Sequence, residues 1–467
     1  MRSLLQDNVL PNDLCIGCGG CTFHIGGGSK MALDERGQYT PVIASDADAS
    51  VADPLCPFSG MADDEDTLGQ ALFGDRGCGQ TGLTHDARLG FYRSVSVGHA
   101  NEGDFRLAGS SGGLTNWLLH ELFQQGEIDA VIGVGELAHA PGGTQYGYQI
   151  IESASELHRL AKSKYYPVTL DEVLRSVHAR DLRYAFVGVP CFVKTVRNLC
   201  RQHPVLEQRI RFCIAIVCGH LKSRAFAQSI GWELGVAPAT LESVDFRVKV
   251  PGAPANRYAV EVKGAHTRRQ QQVFDLFTSD WGLGFFKYKA CDFCDDIAGE
   301  TADVTFGDAW LPEPVKAWQG HNIVVVRHPL IARLLEHANK AGRITLEGVT
   351  SDDFVASQGA NYRHRHDGLA IRLQDAKAAG EWVPQKRIAA SYAHASKKRQ
   401  RVIRLRNRLR EESHRAFITA KQRGRFKTFK RKMQPRVLHY HLAAGSLTKY
   451  LVKRVLINVR RVIKIRV

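Results

Sequence analysis

Tyr184-Ala185-Phe186-Val187-Gly188-Val189-Pro190-Cys191 is an apolar run ending in a turn, and its surroundings decide the fold class. A helix from Val193 to about Arg201 follows, and a second apolar run, Arg211 to Val217, stops at Cys218. Short apolar runs bounded by turn signals read as buried strands, and an intervening helix points to an α/β core. Upstream, Arg93 to Gly98 alternates like a strand. Gly109-Ser110-Ser111-Gly112-Gly113 then opens an amphipathic helix from Leu114 to about Gln125, and Ala130 to Val134 is another buried strand. Thr169 can cap a helix over Leu170 to His178, with Glu172 in capping-box spacing. Downstream, Val244–Val250 and Tyr258–Lys263 alternate around a turn-rich stretch and predict an antiparallel hairpin. Strands Val304–Phe306 and Asn322–Val326 and a helix Leu330–Ala341 follow. The expected class is mixed α/β (α+β) with an inserted hairpin.

With 467 residues, 44% hydrophobic and 24% charged, the chain has room for several cored domains and is neither fibrous nor disordered over most of its length. No stretch approaches the ~18–20 apolar residues that span a bilayer. Met1 to Leu14 lacks the apolar core of a signal peptide, so a cytoplasmic location is expected. Charge is uneven. Of the net +16, residues 397–467 carry +22 (24 Lys and Arg against Glu411 and Glu412), which leaves −6 for the rest. The basic balance therefore belongs to a tail. The expected divisions are 1–90, a glycine-rich cysteine segment; 91–185 and 186–385, two parts of the α/β body; and 386–467, a basic helical tail.

Eleven cysteines under reducing conditions argue for metal or redox chemistry rather than disulfides. Cys15, Cys18 and Cys21 sit on a loop containing Gly17, Gly19 and Gly20, and Cys56-Pro57 follows. Three thiolates at this spacing with a distant fourth suit an iron–sulfur cubane, whereas structural zinc sites usually present cysteines in pairs. Cys291 and Cys294 supply another half-site, and Cys191 and Cys218 end predicted strands. Those four could close a second cluster, a zinc site or a dithiol pair. Cys78, Cys200 and Cys213 read as inert thiols. The Ser110, Ser111, Gly112 and Gly113 turn before a helix has the form of a phosphate cradle, with Lys162, Ser163, Lys164 and Tyr165 adding charge and a stacking face. Ala302 to Trp310 places Asp308 at a strand end before an aromatic, able to orient a ring or to hold a loop.

These motifs, in this order, resemble the coenzyme F420 hydrogenase/dehydrogenase family of beta subunits. The resemblance rests on Cys-Ile-Gly-Cys-Gly-Gly-Cys (15–21), Cys-Pro (56–57), Gly-Ser-Ser-Gly-Gly (109–113), Ser-Lys-Tyr (163–165), Gly-Val-Pro-Cys (188–191), Cys-Gly-His (218–220) and 289–308, within residues 10–380. The chain is also similar to a two-cluster branch that includes hydroxymethyl chlorophyll a reductase. The resemblance implies FAD and two [4Fe–4S] clusters, one on Cys15, Cys18, Cys21 and Cys56 and one on Cys191, Cys218, Cys291 and Cys294. It puts Ser110, Ser111, Gly112, Gly113, Lys164 and Tyr165 at the flavin. It implies an oxidoreductase exchanging electrons between a hydride carrier (an F420-like deazaflavin) or a reducible organic substrate and the clusters. Its partner would be a ferredoxin or another oxidoreductase subunit, and a non-enzymatic electron-transfer subunit is the alternative. No second ferredoxin motif follows Cys21, so a separate two-cluster ferredoxin domain is not expected.

The tail departs from the family pattern. Ala393 to Lys432 reads as a basic helix that Pro435 interrupts. Beyond it, Leu451, Val455, Val459, Val462 and Ile463 share a face among Lys453, Arg454, Arg460, Arg461 and Lys464, the pattern of a helix lying on an anionic membrane surface. Nucleic acid fits less well, because stacking aromatics are few.

Overall fold

Eight strands make the central sheet, in the order Ile344–Val349, Ser94–Ala100, Asn322–Val326, Val304–Asp308, Ile210–Ile216, Tyr184–Gly188, Ala130–Glu136 and Tyr146–Ile151. The four strands from Val304–Asp308 to Ala130–Glu136 run parallel. Antiparallel strands extend the sheet on either side. This is a computed structural model, and it describes residues 3–74, 82–137, 145–393 and 395–465. Cys78 lies outside the described residues.

The parallel strands are mostly apolar, as strands covered on both faces are. Ala130, Ile132, Tyr184, Phe186, Cys213 and Ala215 point to a layer built by Leu174, Val177, Val193, Val196 and Leu199. Their alternates Val131, Ala185, Phe212 and Ile214 meet Trp117, Leu118, Leu122, Ile331 and Leu335. The first layer belongs to helices Asp171–Ala179 and Pro190–Gln202, the second to Leu114–Gln124 and Pro329–Lys340. Leu5, Val9, Leu14, Ile16 and Phe23 bury themselves in the first layer, which fastens the cysteine-rich segment to that face. The 185/186 division falls inside Tyr184–Gly188, and strands from both sides share the sheet.

Several local expectations need correction. The hairpin is a three-stranded sheet, Leu241–Val248, Ala259–Gly264 and Thr267–Gln272, whose last strand is almost wholly polar and exposed and so carries no alternation signal. The capping box at Thr169 and Glu172 does not form. The helix starts at Asp171, the Leu170 N–H donates to the Cys18 carbonyl (2.8 Å), and Thr169 Oγ1 is buried with no partner among the described residues. The cysteine loop has taken the cap's place. Pro435 does not interrupt the tail. The break is at Gly424 (φ +62°), and helix Phe426–Ala444 continues through Pro435, held by buried Phe429, Met433 and Val437.

The first part of the tail belongs to the body. Helix Lys397–Gln422 and the helix after it bury Leu409, Ala416, Phe417, Ala420 and Phe429 against Phe226, Phe246, Phe285 and Phe286. Each such side chain contributes about 2 kcal/mol by leaving water. The helix is anchored further by Phe286 N–H donating to Ser413 Oγ (2.9 Å).

Candidate functional site

The loop of residues 15–21 turns on two left-handed glycines, Gly17 (φ +73°) and Gly19 (φ +79°). A side chain at Gly19 would stand 2.3 Å from Thr169 Oγ1, so only glycine lets the loop lie against the body. Gly17 N–H points at Cys15 Sγ (3.3 Å). Cys21 follows Gly20 into helix Gly20–Ile25, and Cys56 comes in after the short helix Ala49–Ala52. Burial raises all four thiols of this set, and the charges of their neighbours add to it: Cys18 acts on Cys15, Cys21 and Cys56. Cys56 is pushed up to about 12. The four therefore converge.

A second set assembles where the parallel strands end. Cys191 lies in the first turn of Pro190–Gln202, directly past Tyr184–Gly188, and Cys218 stands two residues past Ile210–Ile216. Cys291 sits on the turn Ala290–Phe293, with Cys294 just after it. The four share a small pocket with Ile16, Phe58, Pro190, Leu221 and Arg365. Cys191 is raised by burial and then by Cys294, Cys218 and Cys291, while Cys291 and Cys294 are pushed up to about 11. Leu221 N–H donates to Cys291 Sγ (3.2 Å).

Arg365, which no motif announced, is the buried cation of this set. One arm donates to Cys294 Sγ (3.1 Å) and the Asp296 carbonyl; the other donates to the carbonyls of Cys218 (2.7 Å) and Gly219 (2.9 Å). Beside Cys291, burial pushes Asp292 up, but Lys287, Arg372 and Arg410 outweigh it and hold the carboxyl at about 2. Arg410 comes from the tail helix (3.4 Å to Asp292), so the tail reaches the cysteine site.

The two sets adjoin. Cys18 is among the groups acting on Cys191, and Thr195 Oγ1 lies 3.5 Å from Cys18 Sγ and 3.0 Å from the Cys191 carbonyl. The buried Tyr148 hydroxyl feels both Cys191 and Cys18. Eight thiols gathered in this way, four of them buried, cannot ionise together without a compensating cation. Among the described residues no three Cys, His, Asp or Glu side chains gather closely enough to hold a single metal ion.

Past Cys218, rings lead away. His220 packs 4.4 Å from Trp281, and Trp281 4.8 Å from Tyr165. Tyr165, Tyr258 and Trp310 cluster around Arg247, which donates to the Tyr165 hydroxyl (3.4 Å) and whose guanidinium lies 4.3 Å from the Tyr258 ring and 5.4 Å from Trp310. Arg247 donates twice to Asp308, at 2.9 Å each, which fixes that strand end. Arg247 Nε and His220 Nε2 are buried with no partner among the described residues.

The Gly-Ser loop lies beside this cluster, where Arg247 donates to the Ser110 carbonyl (3.2 Å), and its polar groups are already engaged. Ser110 Oγ accepts from Ser163 N–H (2.8 Å), and Ser111 Oγ donates to the His321 carbonyl (2.6 Å). Asn322 Oδ1 caps Leu114 N–H at the helix start (3.1 Å). Gly112 is pressed against Gly98 and Asn322, and Gly113 (φ +82°) against Phe105. Lys164 Nζ donates to the Ala161 carbonyl (2.7 Å). The loop's polar groups hold the loop to the sheet and to Ser163. Cys200, on helix Pro190–Gln202, and Cys213, on strand Ile210–Ile216, are buried in the layer between that helix and the sheet.

Two sequence-family descriptions match the chain, both of the coenzyme F420 hydrogenase/dehydrogenase beta subunit: its N-terminal part over residues 95–175 and its C-terminal part over 181–352. Among curated proteins, a coenzyme F420-dependent sulfite reductase of Methanocaldococcus jannaschii is 24% identical over 235 residues, 47% of this chain and 33% of that protein. A subunit of the F(420)H(2) dehydrogenase of Methanosarcina mazei is 23% identical over 221 residues, 47% of this chain and 56% of that protein. The match thus spans a third of one relative and just over half of the other. A chain of the F420-reducing [NiFe] hydrogenase complex from Methanosarcina barkeri superposes with a TM-score of 0.48 at 14% identity, covering 66% of this chain and all of that one.

Proposed function

The chain belongs to the coenzyme F420 hydrogenase/dehydrogenase family of beta subunits, and on that premise we propose that it is an iron–sulfur flavoprotein oxidoreductase. It would exchange electrons between a hydride carrier of the F420 type and a redox partner. One observation carries the reading: eight cysteines in two adjoining sets, joined by Thr195, with a line of rings from the second set to the aromatic cluster around Arg247. Cys15, Cys18, Cys21 and Cys56 would hold one [4Fe–4S] cluster and Cys191, Cys218, Cys291 and Cys294 another, supplying one-electron storage. FAD beside Tyr165 would supply conversion between hydride and single electrons.

The chain's own groups have defined work. Arg365 offsets thiolate charge while tying three backbone carbonyls around Cys218 and Cys294. Gly17 and Leu221 amides stabilise sulfur charge at Cys15 and Cys291. Tyr165 and Trp281 present ring edges and faces to a planar ligand, and Arg247 offers its unpaired Nε–H. Ser110, Ser111, Gly112, Gly113 and Lys164 would line the flavin beside this cluster.

A second reading, an electron-transfer subunit without flavin, draws on the engaged donors of the Gly-Ser loop. The test is anaerobic mixing with reduced F420 and a viologen acceptor. The flavoenzyme reading expects bound flavin and F420-dependent viologen reduction. Iron-replete, flavin-free protein inert toward F420 would replace it with the second reading.

A further inference from the structure

We propose that the last helix, Leu447–Ile465, is a docking surface for an anionic lipid bilayer. At 3.6 residues per turn, successive residues are about 100° apart, so Leu451, Val455 and Val459 form one row and Val452 and Leu456 the next, together about 140° of the circumference. These five apolar side chains are between 46% and 61% exposed, whereas Ile457, on the opposite side, is 4% exposed. The helix is thus attached by one face and shows the other.

The attachment is well built. Tyr450 stacks on His441 at 4.3 Å, and Gln434 donates to the Tyr450 hydroxyl (3.1 Å). Lys453 lies over Phe274 (4.8 Å) and Arg454 over Phe277 (5.9 Å), which tie the helix to the three-stranded part of the body. The apolar stripe is therefore not a loose end that could turn inward; Ile457 and Tyr450 already occupy the inward side.

Charge selects the occupant. The sequence 447–465 contains no Asp or Glu, and residues 397–467 carry +22 beside a body at −6. Lys449 is exposed on this helix, and Arg423, Arg425, Lys427, Arg431 and Lys432 are exposed on the linker and helix that precede it. An apolar stripe among cations matches a surface that is apolar beneath a layer of negative charge, which an anionic bilayer presents. Among the described residues no helix is long and apolar enough to cross a membrane, so the helix lies on the surface.

The test is co-sedimentation of the full chain with phosphatidylcholine vesicles made with or without phosphatidylglycerol, alongside light scattering of the free protein. The expected result is binding that requires phosphatidylglycerol and weakens as salt rises. Leu451→Asp, Val455→Asp and Val459→Asp together should weaken it about tenfold or more, with circular dichroism unchanged. Val455→Trp, which adds an interfacial anchor at an exposed position, should tighten it. Failure to bind phosphatidylglycerol vesicles at low salt overturns the proposal, as does a triple variant that binds like wild type. Stripe-dependent self-association without vesicle binding overturns it in favour of a second copy of this chain.

Discussion

Replacing Arg365 with methionine tests the second cysteine set at its centre. The guanidinium satisfies the carbonyls of Cys218, Gly219 and Asp296 and faces Cys294 Sγ, all away from water. Three buried acceptors lose their donor, at about 1 kcal/mol or more each, so a loss of about 3–5 kcal/mol is expected, the range for removing one partner of a buried charge network. The second effect is electrostatic. A unit charge ~4 Å away acts with about 4 kcal/mol at an effective dielectric of ~20. Since 59 mV is one factor of ten for a single electron, the reduction potential at this site should fall by on the order of 100 mV. Arg365→Lys keeps the charge but cannot fork across the same acceptors, so it should recover most of the potential and only part of the stability. Anaerobic thermal unfolding and a redox titration followed by electron paramagnetic resonance read the two effects separately. A methionine variant with wild-type melting and wild-type potentials would refute the assignment of Arg365.

Further predictions concern the other parts. Thr195→Val removes the hydroxyl shared between Cys18 and Cys191, and should cost about 1 kcal/mol and lower the potential of the N-terminal site in the same titration. Arg247→Met leaves Asp308 without its forked partner and should strip flavin from anaerobically purified protein while leaving iron in place, read by absorbance and iron assay. His414 on the tail helix is lowered to about 3, chiefly by burial, and stays neutral when folded, with Nε2 against Ser223 Oγ (3.1 Å). Its folded value lies below the unfolded ~6.5, so the unfolded chain takes up the proton first and stability falls as pH drops from ~6.5 toward 3. By pH 5 this histidine should account for about 2 kcal/mol, a slope that His414→Gln removes in denaturant titrations across pH.

The sequence exposes what depends on short range. The apolar runs at Tyr184–Val189 and Arg211–Val217 are strands because both faces are covered, and cysteines just beyond strand ends are carried to one edge of the sheet. Strand Tyr146–Ile151 lacks a clean period, with half-buried residues between its buried ends, and Ile344–Val349 is an edge strand with little apolar content. Register and pairing across hundreds of residues gave neither away. Arg365 and Thr195 sit on helices with no motif around them; only their approach to Cys294 and Cys18 marks them. The Gly-Ser loop carried the opposite difficulty. A turn with free polar groups and a turn whose groups are taken up by Ser163, His321 and Asn322 look alike in sequence. The tail's basic composition hid a buried face at Leu409, Ala416 and Phe417 that folds it into the body.

The central claim is that two cysteine sets hold two clusters. Iron and acid-labile sulfide per chain, measured on anaerobically purified protein, test it most directly. The account predicts about eight irons and eight sulfides, falling to about four of each in Cys18→Ser and likewise in Cys218→Ser. Colourless protein holding zinc and no sulfide would contradict it.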